Sequence, residues 1–192
     1  MGQGLGTLVR YCDEFVVVAS TRARVVEAMA RIEAILAPLG LRLHPDKTRI
    51  ACLTKGQDGF VFLGFERRVR ESGKHRGYWC LNKWPSPRAM ASIRATVKQR
   101  TARNRASWPL DQVVADLNPV LRGWCAYFAV GNSSEKFSAV DDYVHLRMAR
   151  LASTKYGLHG RNWATRFTCG WLTDLGIYRL SGKVRCYGTA ST

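Results

Sequence analysis

The sequence predicts an α+β chain in two parts, and three observations carry that prediction. Short β-type runs bounded by turn residues recur through the first 84 positions, with one helical stretch among them. From there on, apolar residues recur at three- and four-residue intervals, the pattern of helices with one buried face. Charge divides in the same way: residues 1–66 hold 8 Lys/Arg and 7 Asp/Glu, a net +1, whereas residues 67–192 hold 22 and 7, a net +15. The expected domains are residues 1–84, built mainly from short antiparallel strands, and residues 85–192, mostly helical. With 192 residues, 46% hydrophobic and 23% charged, the chain can build a sizeable core and does not have a disordered composition.

The elements follow in order. Residues 8–11 and 15–19 are β-type runs flanking Cys12-Asp13-Glu14 and read as a hairpin with a carboxylate pair at its tip. Such a pair is either an ordinary polar turn or a divalent-metal ligand, since hard cations take oxygen donors. Thr21 caps a helix over residues 21–39, with Val25, Met29, Ile32, Ile35 and Leu36 as its apolar stripe and Gly40 as its stop. Residues 41–43 and 47–53 read as short strands about a His44-Pro45-Asp46 turn. Residues 60–65 read as one strand broken at Gly64, and residues 67–70 and 78–83 as a hairpin around Ser72-Gly73.

Ser86-Pro87 opens the next helix, with Met90, Ile93 and Val97 inward and Arg88, Arg94, Lys98, Arg100, Arg103 and Arg105 forming a basic face. A short helix over residues 110–117 is expected to end at Asn118-Pro119, where the chain restarts. Two further stripes meet at Gly131-Asn132-Ser133-Ser134. The first is Val120, Leu121, Trp124, Tyr127 and Phe128; the second is Phe137, Val140, Tyr143, Val144, Met148 and Leu151. A short helix through Phe167 and a strand pair, 177–180 with 184–187, complete the chain.

A strongly basic half points to a polyanionic partner, and the Arg-rich mixture with aromatics favours nucleic acid. An acidic membrane fits less well, because the charge is spread over several elements and no basic amphipathic anchor stands out. The longest apolar run, residues 15–19, is too short to span a bilayer, and no secretory signal is visible, so a cytoplasmic protein is expected. Six cysteines (Cys12, Cys52, Cys80, Cys125, Cys169, Cys186) form no CxxC pair, so reduced thiols are expected rather than a zinc site.

The run Asn118-Pro119-x-x-Arg122-Gly123-Trp124-x-x-Tyr127-Phe128, followed by Gly131-Asn132 and Phe137-x-x-x-Asp141-x-Tyr143, resembles the maturase-specific (X) domain of group II intron-encoded proteins. Upstream, Tyr11-Cys12-Asp13-Glu14 is similar to the Tyr-x-Asp-Asp box, motif C, of reverse transcriptases. Leu39-Gly40-Leu41-x-Leu43-x-x-x-Lys47-Thr48 resembles their motif D, and Phe62-Leu63-Gly64-Phe65 their motif E, the primer grip. The three occur in the family's order, and the resemblance covers residues 8–188. It implies a partial reverse-transcriptase palm followed by a thumb and X domain, with the helix that starts after Ser86 lying along a template–primer duplex.

The resemblance also implies a chemistry. Asp13 matches the first metal ligand of motif C, Glu14 stands where the family has a second Asp, and Lys47 is the motif D candidate for the leaving pyrophosphate. Motif A and the fingers are not among the motifs found. Mg²⁺ is therefore expected only if another chain completes the site, and the chain by itself is not expected to polymerise. RNA binding is the leading expectation. Its candidate residues are Arg67, Arg68, Arg94, Lys98, Arg122, Arg147, Arg150, Lys155, Arg161 and Arg166, with Tyr127, Tyr143 and Trp163 for base stacking. Expected partners are group II intron RNA, a template–primer duplex and an upstream reverse-transcriptase fragment, with no membrane. The alternatives are one half of a split RNA-directed DNA polymerase used in retrohoming, or a degenerate mobile-element remnant.

Overall fold

Two short runs rich in β-branched and aromatic residues, on either side of a two-residue turn, build the first element. Thr7–Tyr11 (β1) and Glu14–Val18 (β2) pair antiparallel, with Thr7 opposite Val18 and Tyr11 opposite Glu14. Cys12 takes a φ of 51°, a left-handed conformation that costs an L residue about 1–2 kcal/mol. The structure, a computed structural model, describes residues 5–54, 56–73, 75–158 and 163–185. Arg22–Leu36 (α1) starts as expected, with the Thr21 hydroxyl accepting from the Arg24 amide at 3.3 Å, and runs into a 3₁₀ turn, Ala37–Leu39.

The buried stripe expected on α1 is only partly realised. Ala28 is its one fully buried residue, Val25, Met29, Ile32 and Leu36 are half-buried, and Ile35 is 67% exposed. The strands expected at 41–43 and 47–53 do not form. β propensity describes how a side chain fits a pleated neighbour and makes no strand without one. These residues instead make local turns, in which the Lys47 and Thr48 amides donate to the His44 carbonyl at 3.2 and 2.9 Å. The Asp58 amide likewise donates to the Cys52 carbonyl at 3.1 Å.

The expected single strand over residues 60–65 is two strands. Gly59–Phe62 (β3) turns through Leu63 and Gly64 into Phe65–Glu71 (β4), and Trp79–Pro85 (β5) completes a sheet of order β3-β4-β5. Leu63 and Gly64 both have positive φ, 52° and 73°, as a two-residue hairpin turn of the type I′ kind requires. The chain divides into two compact units, Met1–Leu63 with Arg68–Cys80, and Gly64–Arg67 with Leu81–Thr192. In the first, Ala28 and Phe62 are the buried hydrophobic residues among those described. The second contains the main hydrophobic core.

That core is helical. Pro87–Arg100 (α2) is capped by Ser86, whose hydroxyl accepts from the Ala89 amide at 3.2 Å, and buries Met90, Ile93 and Val97. Leu110–Phe128 (α3) is one helix, not a short helix followed by a restart. Pro119 removes one rung of its ladder, but packing on both sides carries the helix through. Arg100 donates to the Asp116 carbonyl in the preceding turn at 2.7 Å. Val113, Leu117, Leu121, Cys125 and Phe128 of α3 meet Phe137, Val140, Val144, Met148 and Leu151 of Ser134–Lys155 (α4) in one buried cluster. Trp124 lies against Phe128 and Phe137, with ring centroids 4.7 and 5.7 Å away.

Trp163–Arg166 (α5) was anticipated, and Cys169–Asp174 (α6) was not. The expected pairing of 177–180 with 184–187 does not form among the described residues, where residues 177–180 are unpaired coil. Arg185 instead bridges Val130 in parallel, its amide donating to the Ala129 carbonyl at 2.6 Å. Residues 186 and 187 lie outside the described residues. No helix among the described residues is long and apolar enough to cross a membrane.

The corner between α3 and α4 depends on Gly131. Its φ is 86°, and a Cβ there would stand 2.5 Å from Lys83 Cγ and 2.7 Å from the Lys83 carbonyl oxygen. Gly131→Ala therefore combines left-handed strain with a backbone clash, and is expected to cost at least about 2 kcal/mol. Urea denaturation followed by circular dichroism checks this; a change under about 0.5 kcal/mol, the range of a neutral surface substitution, refutes it.

Candidate nucleic-acid interface

Three polar side chains in the run from Asn118 to Tyr143 hydrogen-bond the backbone of other segments. The Asn118 amide group donates to the Gly176 carbonyl at 2.9 Å and its oxygen accepts from the Tyr178 amide at 2.7 Å. The Asn132 backbone amide donates to the Lys83 carbonyl at 2.8 Å, and its side-chain oxygen accepts from the Lys83 amide at 3.4 Å. Asp141 accepts from the Leu180 and Ser181 amides, both at 2.9 Å, and from the Ser181 hydroxyl. Asn118 and Asp141 satisfy backbone that belongs to no ladder, and Asn132 satisfies the outer edge of β5 at Lys83. These bonds shape the domain.

The basic residues sort into two sets. Arg147, from the middle of α4, reaches the C-terminal end of α2. Its Nε donates to the Thr101 hydroxyl at 3.0 Å, and Nη2 to the Thr101 and Lys98 carbonyls at 2.8 and 3.3 Å. Lys155 Nζ donates to the Trp108 and Ala106 carbonyls at 3.0 and 3.3 Å. Arg100 and Arg105 both pair with the Asp116 carboxylate. Burial pushes that carboxyl up, but the hydrogen bond from Arg105 and the charges of both guanidinium groups outweigh it and hold it below its ordinary value. Cations that close helix ends and bind carbonyls complete the fold.

The second set faces solvent. Arg94, Lys98, Arg122, Arg150 and Arg166 are exposed. Arg94 lies 5.8 Å from the centroid of the half-buried Tyr143 ring, and Arg122 lies 5.4 Å from that of Tyr178. Arg67 and Arg68, on β4, are half-buried. Arg161 and the Trp163 side chain lie outside the described residues.

At the hairpin tip Asp13 and Glu14 are exposed, and the Glu14 carboxylate accepts from the Leu63 amide at 3.3 Å. Lys47 is exposed in the turn that follows His44. Among the described residues no three His, Cys, Asp or Glu side chains gather as metal ligands. Two adjacent carboxylates, one already accepting a backbone hydrogen bond, leave most of the six positions of an octahedral Mg²⁺ shell to other donors.

Residues 90–168 match the model of a family described as group II intron, maturase-specific domain. No curated protein matches the chain. The matched span takes in α2 from Met90 onward and all of α3 and α4, and it contains Asn118, Asn132 and Asp141 as well as Arg94, Lys98, Arg122, Arg147, Arg150 and Lys155.

The sorting of cations is directly testable. Arg147→Ala removes a charged donor from part-buried acceptors and is expected to destabilise by about 1.5–3 kcal/mol. Arg150→Ala, three residues further on at the surface, is expected to stay within about 0.5 kcal/mol of the parent. Equal denaturation midpoints for the two variants overturn the distinction.

Proposed function

We propose that this chain, which carries a group II intron maturase-specific domain over residues 90–168, grips structured group II intron RNA and holds it in its splicing-competent fold. The RNA performs the splicing chemistry. The observation that carries this reading is the exposed set of basic side chains on the matched helices: Arg94 and Lys98 on α2, Arg122 on α3 and Arg150 on α4. Their neighbours Arg147 and Lys155 are spent on the fold. Cations held out on rigid helices bind phosphates with little reorganisation, and the release of condensed counterions supplies sequence-independent affinity. Arg guanidinium groups beside rings, as at Tyr143 and Tyr178, also suit unpaired bases.

Filter binding to intron RNA across a salt series tests this reading. Affinity is expected to fall steeply with salt. Replacing Arg94, Lys98 and Arg150 together with Ala is expected to flatten the log–log slope by about 2–3, since each phosphate contact contributes ~0.7–0.9. A slope that these three changes leave untouched overturns the assignment.

One observation favours a second reading, in which the chain is part of an RNA-directed DNA polymerase completed by another polypeptide. All five residues of β1 are exposed, including Leu8, Val9 and Tyr11, beside the Asp13–Glu14 tip. An open strand edge next to exposed carboxylates suits the addition of a partner strand. Asp13 and Glu14 would then share divalent ions with the partner's carboxylates, and those ions would stabilise the attacking and leaving oxygens. Primer extension on an RNA template with Mg²⁺ is expected only when an upstream reverse-transcriptase fragment is co-expressed, and to be lost in Asp13→Ala. Extension by the mixture with Asp13→Ala unimpaired removes this reading.

A further inference from the structure

A cluster of three rings and two cations lies where the start of β4 meets the end of α3, all within the helical unit. Phe65 is buried and stacks on Tyr127, with centroids 5.6 Å apart and planes at 29°. Phe128 braces both rings, 4.9 Å from Phe65 and edge-on to Tyr127 at 4.8 Å and 81°. Tyr127 is thus fixed in orientation while 54% of it stays open to solvent. The Lys83 ammonium and the Arg67 guanidinium each lie 5.8 Å from the Phe65 centroid. Burial pulls Arg67 below its ordinary value, and the Tyr127 hydroxyl opposes that shift. Glu66, the acidic residue between Phe65 and Arg67 in sequence, accepts from the Trp84 indole N–H at 3.1 Å.

A core aromatic is usually buried among apolar neighbours. This ring is instead held by Phe65 and Phe128 while more than half of the residue faces solvent, and two positive groups lie against the Phe65 ring that it stacks on. Rigidity lowers the entropy lost when a ligand lands on it. The ligand that uses both features is planar and anionic at its margin: an unpaired nucleotide, its base on the ring and its flanking phosphates near the cations. A continuous duplex offers no free base face, so the exposed cations of α2, α3 and α4 do not need this site and this site does not need a duplex.

We propose that Tyr127, stacked on Phe65 with Lys83 and Arg67 beside that second ring, is a stacking site for one unpaired nucleotide of RNA. The inference rests on the RNA-binding reading above. It adds a site that discriminates bases from bare backbone.

The test compares three RNA probes of equal charge: oligouridylate, the same oligomer with abasic positions throughout, and a fully paired hairpin. The parent protein is expected to bind oligouridylate about 5- to 100-fold more tightly than the abasic oligomer, the range of one base–aromatic stack. Tyr127→Ala is expected to abolish that preference while leaving hairpin binding within twofold, and Tyr127→Phe to retain it. Lys83→Ala is expected to weaken oligouridylate and abasic oligomer alike. A parent protein that binds the hairpin but not the bases in preference overturns this site alone. Loss of hairpin binding together with base preference in Tyr127→Ala, with Tyr127→Phe no better, also overturns it. A parent protein that binds none of the three removes the RNA-binding reading and this site with it.

Discussion

Backbone that leaves a helix or sheet can be buried only if its amides and carbonyls find other partners. In the helical unit, side chains from α3, α4 and the corner between them supply those partners. Asn118 takes the backbone at Gly176 and Tyr178, and Asp141 takes the Leu180 and Ser181 amides; Asn132, with its own amide and its side-chain oxygen, takes the outer edge of β5 at Lys83. Because these bonds are made, Ile177 and Leu180 can sit in the core although they belong to no strand or helix. The apolar stripes bring α2, α3 and α4 together, and the polar residues between the stripes decide how everything else is laid over them.

The same logic accounts for the division among the cations. A helix ends in carbonyls that its own amides do not reach, and a nearby Arg or Lys is a ready donor. Arg147 serves α2 in this way, and Lys155 serves the turn before α3. What remains outside is a sparser basic surface than the net charge suggests, and one carried on helices that the core holds still.

Much of this was legible in the sequence. Caps at Thr21 and Ser86, the hairpin at residues 7–18, the stripes of α2, α3 and α4 and the turn at Gly131 all follow from local chemistry that the rest of the chain does not contradict. The misses share a cause, which is that the deciding partner lies far away in sequence. Residues 41–43 and 47–53 have strand-like composition and no strand to pair with. Pro119 reads as a stop until the core packed on α3 both before and after it is in place. The Leu63-Gly64 turn lacks the Asn or Asp that usually announces a type I′ hairpin. For the candidate interface, periodicity and charge identified the helices and the Arg-rich faces. They carry no sign of which cation a distant carbonyl would claim, nor that Phe65 would stack on Tyr127.

The thin interior of the strand-rich unit has a consequence of its own. Few apolar side chains there are withdrawn from water, so little free energy opposes local opening of its amides. Its amide protons should trade with solvent far sooner than those of α3 and α4, where whole turns are closed over by ring and aliphatic packing. The molecule then behaves as two cooperative units of unequal depth, and a single melting temperature would describe mainly the helices.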